Sequence, residues 1–117
     1  MSQGFPKSYR LLKRQEFLVV YSTGTPYRNA GFHLFLRKRE DIEPSRLGLT
    51  VTRFICKAVT RNRLRRWARE TIRTKRQNLA RGFDIVINYH RILAGKSRHE
   101  FDALLQDILQ KASLLPH

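Results

Sequence analysis

KAVTRNRLRRWARETIRTKRQNLAR, residues 57–81, is the stretch from which the rest of the chain is read. Leu64, Trp67, Ala68, Ile72 and Leu79 recur near a 3.6-residue period with Thr71 among them, while Arg65, Arg66, Arg69, Arg73 and Arg76 project from the opposite side. The spacing predicts an amphipathic helix seated on a core. Thr60 is its expected N-cap and Gly82 its expected stop. The stretch carries 10 of the 24 Lys and Arg residues and a single acid, Glu70. Solvated helix faces ordinarily mix Glu with Lys, whereas like charges four residues apart cost about 0.2–0.5 kcal/mol per pair. A face built this way is expected to lie against a polyanion.

The flanking sequence supplies the core for that helix. In residues 12–23, Phe17, Val20 and Tyr21 fall at helical spacing, and Gly24 is placed to end a first helix. Residues 25–29 contain Pro26 and make at most a short edge strand. Residues 32–38 alternate, with Phe32, Leu34 and Leu36 on one face and His33, Phe35 and Arg37 on the other. Residues 39–45, REDIEPS, read as a loop. Alternation resumes over 46–53, with Leu47, Leu49 and Val51 opposed to Arg46, Gly48, Thr50 and Thr52, and the two alternating runs are expected to pair as an antiparallel hairpin.

After the basic helix, residues 83–89, FDIVINY, form a strand apolar enough to be largely buried. Residues 91–96 read as a loop. Ser97 and Glu100 form an S-x-x-E capping box ahead of Phe101, Leu104, Leu105, Ile108, Leu109 and Ala112, the stripe of a last helix. The order α-(β)-β-β-α-β-α gives an α+β fold, helices packed on a mixed sheet.

At 117 residues the chain makes one domain, residues 1–117, that needs no disulfide or metal to hold it, with residues 1–10 expected as a flexible basic arm. A net charge of +15 directs attention to nucleic acid ahead of an anionic membrane or an acidic protein. Cys56 stands alone and reads as a small half-buried hydrophobe. Residues 1–10 lack the apolar run of a secretory signal and no window approaches a membrane span, so a reducing cytoplasm is the expected compartment. The four His residues are scattered, and no carboxylate pair has spacing for two-metal or acid/base work. No protein-only active site is visible.

Two constellations carry the functional reading. In the first, Arg61, Asn62, Arg63, Arg65, Arg66, Arg69 and Arg73 offer planar guanidinium forks suited to paired hydrogen bonds with phosphates. Asn62 can read a base edge or fix a neighbouring loop. In the second, Phe17 and Tyr21 share a face of the first helix, and Phe35 stands beside Arg37, Thr50 and Thr52 on the less apolar strand face. Rings flanked by bases hold single-stranded nucleic acid by stacking and phosphate contacts. Phe17 fits core and binding roles equally, Tyr21 and Phe35 favour binding, and Trp67 reads as core.

These residues resemble the bacterial ribonuclease P protein subunit. The likeness runs through RLGLTVTR (46–53) and KAVTRNRLRRWARE (57–70), and extends to KRQEF (13–17), GFHLF (31–35) and the capped last helix. The chain departs from the family at Phe54 and Cys56, where relatives often carry a second base and a glycine.

The resemblance implies a sandwich like the second domain of ribosomal protein S5, with a left-handed βαβ crossover in its mixed sheet. It implies that an RNA subunit, using Mg²⁺, hydrolyses precursor tRNA to release the mature 5′ end. The protein then contributes no catalytic group and requires no other protein partner or membrane. Residue by residue, Arg61, Asn62, Arg63, Arg65, Arg66, Arg69 and Arg73 would face the catalytic RNA, and Phe17, Tyr21, Phe35, Thr50 and Arg53 would line a cleft for the 5′ leader. The competing readings are a non-catalytic, ribosome-associated RNA-binding protein of the same architecture and, third, a protein-only nuclease.

Overall fold

The computed structural model describes residues 13–50 and 57–116. Helix α1 spans Arg14–Thr23, strands β1, β2 and β3 span Thr25–Arg28, Phe32–Lys38 and Arg46–Thr50, helix α2 spans Ala58–Lys75, β4 spans Phe83–Tyr89 and α3 spans Arg98–Lys111. Short 3₁₀ turns occupy Arg76–Asn78 and Arg91–Gly95, the latter where a plain loop is expected. The basic arm at 1–10, the end of the third strand at 51–53, and Phe54 and Cys56 lie outside the described residues.

The four strands form one mixed sheet in the order β1-β2-β4-β3. β1 and β2 are antiparallel, β2 and β4 are antiparallel, and β3 runs parallel to β4. The expected hairpin between 32–38 and 46–53 is therefore not formed, because β4 lies between them. The reason is in the side chains. Ile85, Ile87 and Tyr89 point to one face of β4 and Val86 to the other, and all four are buried. A strand apolar on both faces is stable only inside the sheet with both faces covered. β3 then reaches β4 as a parallel neighbour through α2.

Pro26 is accommodated because β1 is an edge strand, as its sequence demands. Gly24 closes α1 by donating its N–H to the Val20 carbonyl at 2.8 Å.

α2 and α3 cover one face of the sheet. Leu64, Ala68 and Ile72 from α2 meet Phe101, Leu105, Ile108 and Leu109 from α3 over Phe32, Leu34, Leu47, Ile85, Ile87 and Tyr89. Leu104 is half-buried against this core. The capping box of α3 is present as read, with Ser97 N–H donating to Glu100 Oε1 at 2.9 Å and Glu100 N–H to Ser97 Oγ at 3.2 Å.

Two boundaries of α2 differ from expectation. Thr60 sits inside the first turn, since the helix begins at Ala58 and the Arg61 N–H already bonds the Lys57 carbonyl at 2.9 Å. The helix ends at Lys75, seven residues before Gly82. Gly82, with φ of 83°, makes the turn into β4 and exchanges hydrogen bonds with the 39–43 loop: Arg39 N–H to its carbonyl at 2.7 Å and its own N–H to the Glu43 carbonyl at 2.9 Å. Leu79 lies beyond the helix but still packs on the core.

Candidate nucleic-acid interface

Outward from the buried stripe of α2, the basic side chains divide by their angular position. Asn62, Arg66, Arg69 and Arg73, spaced four, three and four residues apart, share the outward stripe. Arg61 and Arg65 occupy one flank, and Arg65 Nη1 donates to Asn62 Oδ1 at 3.4 Å. Arg63 lies on the flank toward α3, its guanidinium carbon 5.1 Å from the Trp67 ring centroid, while Arg98 of α3 approaches the same ring at 5.8 Å. Trp67 itself is half-buried, its ring edge-on to Phe101 at 5.5 Å between centroids. The side chain of Arg76 is outside the description.

The single acid of the stretch, Glu70, meets bases on both helices. Glu70 Oε1 lies 3.7 Å from Arg66 Nε, and Glu70 Oε2 lies 4.0 Å from Arg98 Nη1. Beside it, Thr71 donates to Asp102 Oδ1 at 2.7 Å and Arg98 Nε reaches both Asp102 oxygens at 3.1 Å. Glu70 thus helps join α2 to α3 while sharing Arg66 of the outward stripe, whose remaining charge is that of Arg69 and Arg73.

The opposite face of the sheet is covered in part by α1, and strand register sorts its side chains into three rows. The first is charged: Arg37 and Arg46 flank Asp84. The second is apolar: Pro26, Phe35, Val86 and Gly48. The third is polar: Arg28, His33, Asn88 and Thr50.

The charged row holds α1 and a loop in place. Asp84, whose side chain is only 4% exposed, accepts from Arg46 Nε and Nη2 at 2.9 Å each, from Arg39 Nη1 at 3.0 Å and from Arg37 Nη1 at 3.4 Å. Burial pushes its carboxyl up, but the hydrogen bonds and charges of Arg46 and Arg39 outweigh this and hold it below its ordinary value. Arg46 Nη1 also donates to Glu16 Oε2 of α1 at 2.6 Å, and Arg39 Nη2 donates to Asp41 at 3.0 Å and to the Pro44 carbonyl at 3.0 Å. The sequence reading set these acids aside because they match no catalytic spacing. Their role is structural, and the signal that could have found it is an Asp in an otherwise apolar strand.

On the apolar row, Val20 of α1 meets Val86, with Phe17, Tyr21 and Phe35 packed around them. Tyr21 and Phe35 make an edge-to-face pair at 4.9 Å, and His33 continues the series at 4.3 Å from Phe35. Three of the rings expected to act together, Phe17, Tyr21 and Phe35, are therefore neighbours, each partly core and partly exposed. Thr50 sits one row further along, across from Asn88. Arg53 lies outside the described residues. The sequence reading missed Asn88, whose Oδ1 accepts from the Tyr21 hydroxyl at 2.8 Å, and missed His33 as a fourth ring.

Among the described residues no cluster of His, Cys, Asp or Glu could hold a metal ion, and no helix is long and apolar enough to cross a membrane.

The model of the ribonuclease P family matches residues 5–113. The ribonuclease P protein component of Gluconacetobacter diazotrophicus is 38% identical over 112 residues, covering 92% of this chain and 94% of its own. That of Thermotoga maritima is 38% identical over 87 residues, 74% of each. Among solved structures, the RNase P protein from Thermotoga maritima superimposes with a TM-score of 0.79 at 32% identity, covering 87% of this chain and 96% of its own. The Staphylococcus aureus RNase P protein gives 0.88 at 24% identity over 93% and 99%, a likeness of fold.

Proposed function

Because the chain belongs to the ribonuclease P protein family, we propose that it is the accessory subunit of a cytoplasmic ribonuclease P. It binds the catalytic RNA and the 5′ leader of precursor tRNA while the RNA subunit, with Mg²⁺, hydrolyses the phosphodiester. The observation that carries the reading is a division of labour across one sheet. On one side, α2 turns Asn62, Arg66, Arg69 and Arg73 away from the core. On the other, α1 and β2 gather Phe17, Tyr21 and Phe35 beside a polar row. One surface suits phosphates of a structured RNA and the other suits unpaired bases.

The α2 stripe, with Arg61, Arg63 and Arg65 on its flanks, anchors the protein to the RNA subunit. Each neutralised phosphate releases counterions, so this contact is strongly salt-dependent. Phe17, Tyr21, Phe35, Thr50 and Arg53 take the leader, chiefly by stacking. Holding the leader raises the effective concentration of the scissile phosphate at the RNA's metal ions without changing the chemistry there. Asp84, the most buried carboxylate, is saturated by three guanidiniums, and the reading assigns Mg²⁺ mainly to the RNA subunit.

The test is reconstitution with an in vitro transcript of the ribonuclease P RNA from the same genome. The reading expects precursor tRNA cleavage at Mg²⁺ concentrations where the transcript alone is poorly active. It also expects tighter binding of leader-bearing than of leaderless tRNA. Cleavage by the protein after rigorous RNA removal, or no effect of the protein on the transcript, would overturn it; the second result would point to the ribosome-associated alternative.

A further inference from the structure

We propose that the RNA-binding surface continues from α2 onto the start of α3, where Arg98, together with Arg63, takes a backbone phosphate of the RNA subunit beside the Trp67 ring. The inference rests on the reading of α2 as the RNA anchor and adds to it a contact from a second helix.

α2 and α3 pack on the same face of the sheet, so the outer surface of α3 borders that of α2. The first turn of α3 brings Arg98 to the boundary. Its side chain is 41% exposed, enough for a partner to reach it. Its position is nevertheless fixed. Nε donates to both Asp102 oxygens at 3.1 Å, Nη2 donates to the Thr71 hydroxyl at 3.4 Å, and the guanidinium carbon stands 5.8 Å from the centroid of Trp67. One edge of the planar fork is thus spent on holding the side chain. Among the described residues Nη1 meets only Glu70, at 4.0 Å, which is beyond hydrogen-bond length. The outer N–H groups of the fork are left for an acceptor.

Arg63 reaches the same ring from α2, at 5.1 Å. Its Nε is buried and has no hydrogen-bond partner among the described residues. Two guanidiniums are therefore gathered on one indole at a place short of acceptors. The two acids nearby are already engaged, Asp102 by Arg98 and Thr71, Glu70 by Arg66 and Arg98. Next to Arg98 the groove between the helices opens into a hollow of about 310 Å³, with Arg73 and Lys75 on its α2 side. A phosphate answers this arrangement, because it accepts without donating and its oxygens match the paired donors of a guanidinium. The rings assigned to the leader lie on the opposite side of the sheet. The phosphate at Arg98 therefore belongs to the RNA subunit, which α2 already contacts.

The experiment measures binding of the in vitro transcript of the ribonuclease P RNA to wild type, Arg98→Met and Arg98→Lys over a range of salt concentrations. Met keeps a stem against Trp67 and removes the charge, whereas Lys keeps the charge and gives up the fork. Arg98→Met should lower the slope of log affinity against log salt by about one unit and weaken binding about fivefold at roughly 0.15 M salt, the counterion contribution of one phosphate. Arg98→Lys should keep the wild-type slope. Melting temperatures of both variants are taken alongside, since a purely structural Arg98 lowers stability in both and leaves both slopes unchanged. An unchanged slope in Arg98→Met, or a slope lowered equally in Arg98→Lys, overturns the α3 contact and leaves the α2 anchor standing. The variants are also assembled into the holoenzyme and offered precursor tRNA. A loss confined to tRNA binding, with transcript binding intact, gives the phosphate to the substrate and overturns its assignment to the RNA subunit. Wild-type binding to the transcript that is weak and insensitive to salt overturns both the contact and the anchor.

Discussion

Replacing Asp84 with Asn tests whether the charged row holds the α1 face together. The substitution is nearly isosteric and leaves Arg37, Arg39 and Arg46 converging on a neutral amide. Removing one partner of a buried ion pair costs roughly 3–5 kcal/mol. The side chains of Arg37 and Arg46 are 37% and 31% exposed and can recover hydration, which argues for the low end, about 3 kcal/mol. Against a total stability of about 5–15 kcal/mol this is a large fraction. It corresponds to a fall of roughly 10 °C in melting temperature for a domain of this size. Urea denaturation followed by circular dichroism measures it, and a cycle with Arg46→Met isolates the strongest pair. The pH dependence follows in sign. The Asp84 carboxyl is held below its ordinary 3.8, so its contribution is complete above that value and is lost as pH falls through the lower folded value. The gap between wild type and Asp84→Asn should therefore close on acidification. A loss below about 0.5 kcal/mol at neutral pH, the scale of an ordinary surface substitution, or a gap that stays constant into acid, refutes this account of the row.

Arg66→Ala, on the outward stripe of α2, should weaken binding to the catalytic RNA and lower the slope of log affinity against log salt by about one unit; an unchanged slope in a filter-binding titration removes Arg66 from the anchor. Gly82→Ala forces a side chain onto a φ of 83° and drives its Cβ into the Asp41 carbonyl. It should cost more than about 2 kcal/mol by urea denaturation, and a smaller loss would mean that the 39–43 loop yields easily. Burial raises the Tyr89 phenol well above its ordinary 10.0, overriding the nearby charges of Arg69 and Arg65. Its contribution is present below that value and is lost as pH rises, so Tyr89→Phe should flatten the alkaline loss of stability; denaturation midpoints compared at neutral pH and about pH 11 check it, and parallel curves would refute it. Phe17→Ala should reduce the advantage of leader-bearing over leaderless tRNA in equilibrium binding. Equal loss for both substrates would leave Phe17 as a core residue only.

The parts of the fold that were legible in the sequence are those fixed by local periodicity. α1, β2, α2, β4 and α3 each announce themselves through a stripe, an alternation or a cap, and the Ser97 box fixes the start of α3 to the residue. Strand pairing is not local. Residues 32–38 and 46–50 look like a hairpin because each alternates and a short polar loop joins them. What separates them is a strand more than thirty residues further on, whose two apolar faces leave it no place at an edge. Once β4 is central, the rest of the α1 face follows from register. Asp84 lands between Arg37 and Arg46, Val86 beside Phe35, and Asn88 between His33 and Thr50. The basic helix was readable as an interface because charge density needs no tertiary information. The aromatic surface was readable only as residue types, since what gathers Phe17, Tyr21 and Phe35 is the docking of α1 on β4 through Val20 and Val86. Asn88 could not be recognised from its strand alone, where it reads as one polar residue in an apolar run. Its Oδ1 accepts from the hydroxyl of Tyr21, 67 residues away, and that contact ties β4 to α1. The aromatic surface thus depends on a long-range contact, and a change at Tyr21 should release Asn88 as well as remove a ring.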